Sequence, residues 1–166
     1  EEGQFSGFSG LTGSLTIPYY ITEIKKNAFY GCTGIDALTF EEGETGSQLV
    51  TIGDSAFQEC TGIENKLVIP SKVKNIGNSC FNNSKINGIE FNSIIEDVGT
   101  SAFMNCSNLH TIKISSSIES IAEQVFDGCF KLENIIVVSI NHYCVTNNIL
   151  IDKSERKVLR VANIST

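Results

Sequence analysis

One spacing recurs along this chain and leaves very few folds open to it: a Phe, a Cys three residues later, and an aliphatic residue three after that. It reads AFYGCTGI at 28–35, AFQECTGI at 56–63 and AFMNCSNL at 102–109. Phe29, Phe57, Phe81, Phe103 and Phe126 follow one another at intervals of 28, 24, 22 and 23 residues. Cys32, Cys60, Ser84, Cys106 and Cys129 stand three places after them, and Ile35, Ile63, Asn87, Leu109 and Leu132 three places further. In the third unit the aliphatic residue comes one place early, as Ile86. A period of about 20–50 residues marks stacked repeats: one unit is too small to bury its own apolar face and must bury it against its neighbours.

The other half of each unit repeats as well. Ile24, Ile52, Ile76, Val98 and Ile121 each lie five residues before a Phe. Each unit also carries a short run with strand alternation: Leu38-Thr39-Phe40, Leu67-Val68-Ile69, Ile89-Glu90-Phe91, Ile112-Lys113-Ile114 and Ile135-Ile136-Val137. The N-terminal QFSGFSGL at 4–11 follows the same grammar, with Phe5 placed 24 residues before Phe29 and Phe8 in the Cys position. The chain thus opens inside a repeat, and we expect either a fragment or an atypical capping turn ahead of Leu11.

The full pattern is a strand, Ile-Pro (Ile17-Pro18, Ile69-Pro70), Ile-Gly (Ile52-Gly53, Ile76-Gly77), Ala-Phe, Cys and Leu. It resembles the BspA-like leucine-rich repeat found in surface proteins of bacteria and some protists. The resemblance covers residues 4–138 and departs from the family in three places: Phe8 and Ser84 replace Cys, and Glu41 to Gln48 lengthens one coil. It implies a mainly β leucine-rich-repeat solenoid: a right-handed coil stack with a parallel concave sheet and an irregular or short-helical convex side. Residues 1–138 would hold one partial repeat and about five further coils. Residues 139–166 break the pattern. There NNILIDKSERKVLRV reads as two strands, Ile149 to Asp152 and Lys157 to Val161, around a polar turn. Such a hairpin would cap the last coil and blunt its edge, as closing segments of the family do.

Within such a stack Phe5, Phe29, Phe57, Phe81, Phe103 and Phe126 form an aromatic spine of the core, with offset or edge contacts between rings. Cys32, Cys60, Cys106 and Cys129 fill the turn that leaves the Phe segment. Six cysteines, at 32, 60, 80, 106, 129 and 144, are compatible in number with three disulfides. Stacked side chains run parallel rather than toward each other, however, which suits buried free thiols better. Cys80 takes the slot held by Ala28, Ala56 and Ala102 and is read as core too.

The totals exclude several function classes. The chain has 166 residues, 41% apolar and 19% charged, with net charge −7 and no basic stripe, so nucleic acid is not an expected partner. No run approaches the roughly 18 apolar residues of a membrane span, and Glu1-Glu2-Gly3-Gln4 shows no signal peptide. No C-x-x-C, P-loop or G-x-S-x-G occurs, and we expect no catalytic residue, metal or cofactor. Gly53-Asp54-Ser55 resembles a nucleophile turn only until Gly77-Asn78-Ser79 and Gly99-Thr100-Ser101 appear in the same slot. His110 is expected at the surface, and His142 has no partner pattern. Glu41, Glu42 and Glu44 read as a solvated loop without spaced calcium ligands. The sequons at Asn82, Asn105 and Asn163 are frequent by chance in an Asn-rich chain.

What remains is an ordered surface. The outward residues of the parallel strands are expected to form a central column of Thr16, Thr39, Val68, Glu90, Lys113 and Ile136, flanked by Ala37, Lys66, Thr111 and Asn134. Family resemblance implies a non-enzymatic, extracellular or cell-surface adhesion module with a protein or glycan ligand. The rival readings are a structural spacer and, least favoured, a glycan-active enzyme, which needs two carboxylates about 5–9.5 Å apart where this face offers Glu90. The chain is expected as a monomer or an edge-paired dimer.

Overall fold

The computed structural model describes residues 3–92, 94–114, 118–122, 124–137, 143–146, 149–152 and 157–161, with the side chains of 119 and of 143–161 excepted. The alternating runs form parallel strands stacked coil on coil: β1 (Gly13–Ile17), β3 (Ile35–Phe40), β5 (Lys66–Ile69), β7 (Gly88–Phe91), β9 (Thr111–Ile114) and β11 (Asn134–Val137). The Ile/Val before each Phe lies in a second parallel sheet: β2 (Glu23–Ile24), β4 (Thr51–Ile52), β6 (Asn75–Ile76), β8 (Ile95–Val98) and β10 (Ile118–Ile121). Burial alternates along the strands, as in the exposed-buried-exposed-buried pattern of Lys66-Leu67-Val68-Ile69. The buried set therefore faces one core between the two sheets and the Phe turns. An antiparallel sheet of β12 (Tyr143–Thr146), β13 (Ile149–Asp152) and β14 (Lys157–Val161) ends the chain, and its hairpin falls on the expected residues. Its first strand lies beside β11.

The spine forms as a ladder of near-parallel rings. Successive centroids from Phe5 to Phe126 are 5.1–5.9 Å apart, and the planes differ by 3–12°. Edge geometry enters once, where Phe91 meets Phe103 from the side. Phe57, Phe81 and Phe103 are fully buried, whereas Phe5 is 38% exposed and Phe8 54%. Phe8 holds the Cys position in the backbone, its N–H donating to the Phe5 carbonyl as that of Cys32 does to Phe29. Its ring nevertheless turns outward, since the slot accepts only a small side chain.

The described cysteines of the column are free and buried, and each thiol donates to the carbonyl of a Phe one coil earlier: Cys32 to Phe5, Cys60 to Phe29, Cys106 to Phe81 and Cys129 to Phe103, at 3.0–3.2 Å. Cys80 is buried as well, and Ser84 preserves the column by hydrogen-bonding the Cys106 thiol. Burial pushes the Cys60 thiol up to about 12 and the Cys80 and Cys106 thiols well above their ordinary range.

The convex side takes the irregular form of the two expected: the described residues contain no helix. Two residues per coil stand in the left-handed region instead. One lies two places before the Phe (Asn27, Ser55, Ser79, Ser101, Gln124), the other two places after it (Gly31, Glu59, Asn83, Asn105, Gly128). A left-handed residue every fourth position stops helical propagation before a second turn can form. The freed N–H groups reach the next coil, as Phe29 does to Ala56 (2.8 Å) and Phe57 to Cys80 (2.8 Å). Gly53, Gly77 and Gly99 allow this approach. A Cβ on Gly77 would stand 2.4 Å from the Asp54 nitrogen, and one on Gly53 2.7 Å from that of Lys26.

The long coil interrupts the concave sheet between β3 and β5, which share no strand ladder. The Asn65 side chain fills the gap as a peptide group would. Its Oδ1 accepts the Leu38 N–H (2.9 Å), and its Nδ2 donates to the Leu38 carbonyl (2.8 Å) and to that of Lys66 (2.9 Å).

Candidate recognition face

The strand registers bring the expected column together in two patches. Thr16 pairs with Thr39 on β1 and β3, and Val68, Glu90, Lys113 and Ile136 align across β5, β7, β9 and β11. The flanking residues Lys66, Thr111 and Asn134 align with Gly88, and Ala37 aligns with Ser14. In the smaller patch the two threonine hydroxyls hydrogen-bond at 2.9 Å.

The larger patch is organised by one carboxylate. Glu90 sits between two lysines, its Oε1 at 2.5 Å from Lys113 and its Oε2 at 2.5 Å from Lys66. The hydrogen bond from Lys113 first, and that from Lys66 second, holds the Glu90 carboxyl below the usual carboxylate range. The Glu90–Lys113 pair is the neighbour pair the alternation suggests. The part of Lys66 as second arm was not assigned from sequence, although its place one register step from Glu90 on a parallel sheet was the available signal. Above and below the triad, Val68 (45% exposed) and Ile136 (47%) present apolar surface to solvent. The arrangement is a strip of apolar, charged and apolar character, with both lysine side chains more exposed than the carboxylate between them.

Elsewhere the side chains with chemical potential are occupied by the repeat. Asp54 Oδ1 accepts the Asn78 N–H (2.8 Å), and Asn78 Oδ1 accepts the Thr100 N–H (2.9 Å), so the Gly-Asp-Ser slot is a side-chain ladder and Ser55 is a left-handed turn residue. In the long coil Glu41 accepts the Tyr19 N–H and Glu42 the Ser47 N–H. Beside it Tyr19 and Tyr20 form an exposed edge-to-face pair, 5.6 Å between centroids, which the sequence reading passed over although adjacent tyrosines after Pro18 were there to see. His110 is exposed. The side chains of His142, Cys144 and Asn163 lie outside the described residues. Among the described residues, no three His, Cys, Asp or Glu are grouped to hold a metal, and no helix is long and apolar enough to cross a membrane.

Comparison with known proteins agrees with this geometry. The family model of the BspA type leucine rich repeat region matches residues 1–45 and 43–152 in six copies. No curated protein matches the chain. Among solved structures, pneumococcal vaccine antigen PcpA is similar at 26% identity and TM-score 0.73, over 88% of this chain and 36% of that one. A leucine rich cell surface protein from Faecalibacterium prausnitzii A2-165 is similar at 22% identity and TM-score 0.60, over 97% of this chain and 48% of that one. A leucine-rich repeat protein from Bacteroides ovatus ATCC 8483 shares the fold at 21% identity and TM-score 0.52, over 81% of this chain and 39% of that one. The chain thus spans between about a third and a half of each of these structures.

Proposed function

The chain belongs to the BspA-type leucine-rich repeat family, and we propose that it serves as a non-enzymatic recognition module of a cell-surface or secreted protein, binding a protein or glycan ligand on its concave face. The observation that carries this reading is the Val68–Glu90–Lys113–Ile136 strip, with Lys66 at its side. A soluble repeat needs polar residues on an outward sheet face, yet two bulky apolar side chains stand exposed around a fixed ion triad. Such a strip is suited to a partner that covers the apolar ends and offers acceptors to the lysines. One of the similar structures is described as a cell surface protein and another as a vaccine antigen, which supports the surface placement. A spacer role would leave the strip inert.

Binding of the purified chain to a panel of matrix proteins and glycans tests the reading. The Val68→Arg, Ile136→Arg double variant should keep the wild-type melting temperature, because both side chains face solvent and an Arg stem can cover the same sheet surface. It should lose at least about tenfold in affinity for any ligand the wild type retains, the scale of one or two contact residues. Binding that ignores both substitutions would remove recognition from this face and leave the spacer reading in its place.

A further inference from the structure

The four-stranded part of the concave sheet carries one row of outward side chains from strand to strand: Val68 on β5, Glu90 on β7, Lys113 on β9 and Ile136 on β11. Lys66 reaches the row diagonally. Its register partner on β7 is Gly88, which leaves the path to Glu90 open, since a Cβ there would stand 3.3 Å from Lys66 Cγ. Exposure within the row is uneven: the side chains of Lys66 and Lys113 are 51% and 38% exposed, that of Glu90 14%. A group approaching from solvent therefore meets ammonium before carboxylate. Each ammonium carries three N–H donors and gives one to Glu90, so donors remain for an incoming acceptor. On a chain of net charge −7 this is a local positive spot, set between two exposed apolar ends.

These features limit the partner. Branched aliphatic ends call for apolar cover, which peptide side chains supply and sugar hydroxyls do not. The spacing limits the partner's backbone as well. Neighbouring strands lie about 4.8 Å apart, so the row from Val68 to Ile136 is about 14 Å long. An extended peptide advances about 3.4 Å per residue and turns alternate side chains to one face, which places i and i+4 about 13.6 Å apart with i+2 between them. An α-helix rises about 1.5 Å per residue and returns to one face at i+7 or i+11, about 10.5 or 16.5 Å along, and matches neither.

We propose, resting on the recognition face inferred above, that this row receives an extended segment of a protein partner laid across the strands. The segment has Asp or Glu at its centre and apolar residues two places before and two places after it. The apolar pair covers Val68 and Ile136, and the carboxylate takes the remaining donors of Lys66 and Lys113. Glu90 then competes with the incoming carboxylate for both lysines and holds the affinity down.

A biotinylated peptide with Ile-Thr-Asp-Thr-Ile in a Gly-Ser frame, made tetravalent on streptavidin, tests this by biolayer interferometry on the purified chain. Ile-Asp-Thr-Thr-Ile, which turns the carboxylate to the other face, and Ile-Thr-Lys-Thr-Ile are the controls. The first peptide should bind at least about tenfold tighter than either. Lys66→Gln with Lys113→Gln should abolish that preference. Glu90→Gln should tighten the first peptide by about fivefold or more, whereas it would weaken a cationic partner. Thermal melts check that each variant is folded. Absence of binding, no preference for the first peptide, or weakening by Glu90→Gln would overturn the proposal. So would a sulfated glycan whose binding survives Val68→Arg, Ile136→Arg and is lost with the two lysines. If the peptide fails while a matrix protein binds and depends on Val68 and Ile136, the extended acidic segment is wrong and the recognition face stands. A matrix protein indifferent to those substitutions would sink both.

Discussion

Replacing Asn65 should open the concave sheet at one place. Its amide makes three hydrogen bonds, two of them to the backbone of Leu38, whose side chain is 1% exposed. Asn65→Leu keeps the volume and leaves the Leu38 N–H and carbonyl without partners. Each such group costs about 1–3 kcal/mol when water cannot replace the partner. The bonds are only partly buried, so the lower half of that range applies, and the loss should total about 2–4 kcal/mol. At about 2–4 °C per kcal/mol for a chain of this length, the midpoint should fall by about 4–16 °C. Asn65→Asp adds a second signature. A carboxylate facing the Leu38 and Lys66 carbonyls is disfavoured in the folded state, which raises its folded pKa above the unfolded value. Its contribution to stability is then present below the unfolded pKa and is lost as pH rises through the folded one, so acidification from pH 7 toward about 4 should narrow the gap to wild type. Urea denaturation across pH, with hydrogen exchange of the Leu38 amide, measures both. If Asn65→Leu lies within about 0.5 kcal/mol of wild type and the Leu38 amide keeps its protection, the amide bridge holds nothing, and the two sheet segments are joined by the core and by the Glu64 N–H on the Asp36 carbonyl.

The spine should be graded in its sensitivity. Phe81→Ala, fully buried between two rings, should cost about 3–5 kcal/mol, whereas Phe5→Ala, one-sided and partly exposed, should cost about 1 kcal/mol in denaturant titrations. Equal losses would contradict a stack with an open end. Gly77→Ala places a Cβ 2.4 Å from the Asp54 backbone and should destabilise by about 3 kcal/mol or more, while Ser71→Ala at an exposed turn serves as the neutral comparison by thermal melting. The buried thiols should resist a disulfide reagent in the native state and react on unfolding. The folded pKa values of Cys32, Cys60, Cys80 and Cys106 are raised, so their contribution to stability is complete below the unfolded thiol pKa, and the midpoint should fall as pH rises above about 9, toward the Cys60 value of about 12. Glu90→Gln should cost about 0.2–1 kcal/mol at neutral pH. The lowered carboxyl pKa makes that difference present above the unfolded carboxylate value and lost as pH falls through the folded one, as paired melts at pH 7 and pH 3 would show.

The core was readable because it rests on residue identity at a fixed spacing. Each coil presents the same apolar positions to its neighbours, and the aliphatic shifted to Ile86 in the third unit is buried while Asn87 is exposed. The column from Val68 to Ile136 was readable because alternation on a parallel sheet leaves one register. Exposure of Phe5 was not, since it depends on what lies beyond the residue rather than on the residue. The convex conformation was hidden by its variety. Asn, Ser and Gln serve at one left-handed position, and Gly, Glu and Asn at the other, so no single letter repeats, although an excess of Asn, Ser and Gly at fixed distances from the Phe was the available signal. Among the described residues the Asn65 bridge occurs at one junction, and a repeat pattern reveals only what recurs.

The convex hydrogen bonds give the molecule an electrical polarity that its formal charge of −7 does not describe. In the coils of Phe5, Phe29, Phe57 and Phe81 the peptide units ending in the N–H of the residues two before the Phe, at the Phe and two after it all point toward the C-terminal coils, as at Ser55, Phe57 and Glu59. Their carbonyls all point back. Strand dipoles in a sheet alternate and cancel, but these turn dipoles add, as they do in a helix. The sum places partial negative charge at the Phe5 end and partial positive charge at the far end, a sense opposite to that of an α-helix read from N- to C-terminus. The macrodipole is built from backbone groups alone, so it grows with the number of stacked coils whatever charged side chains each coil carries.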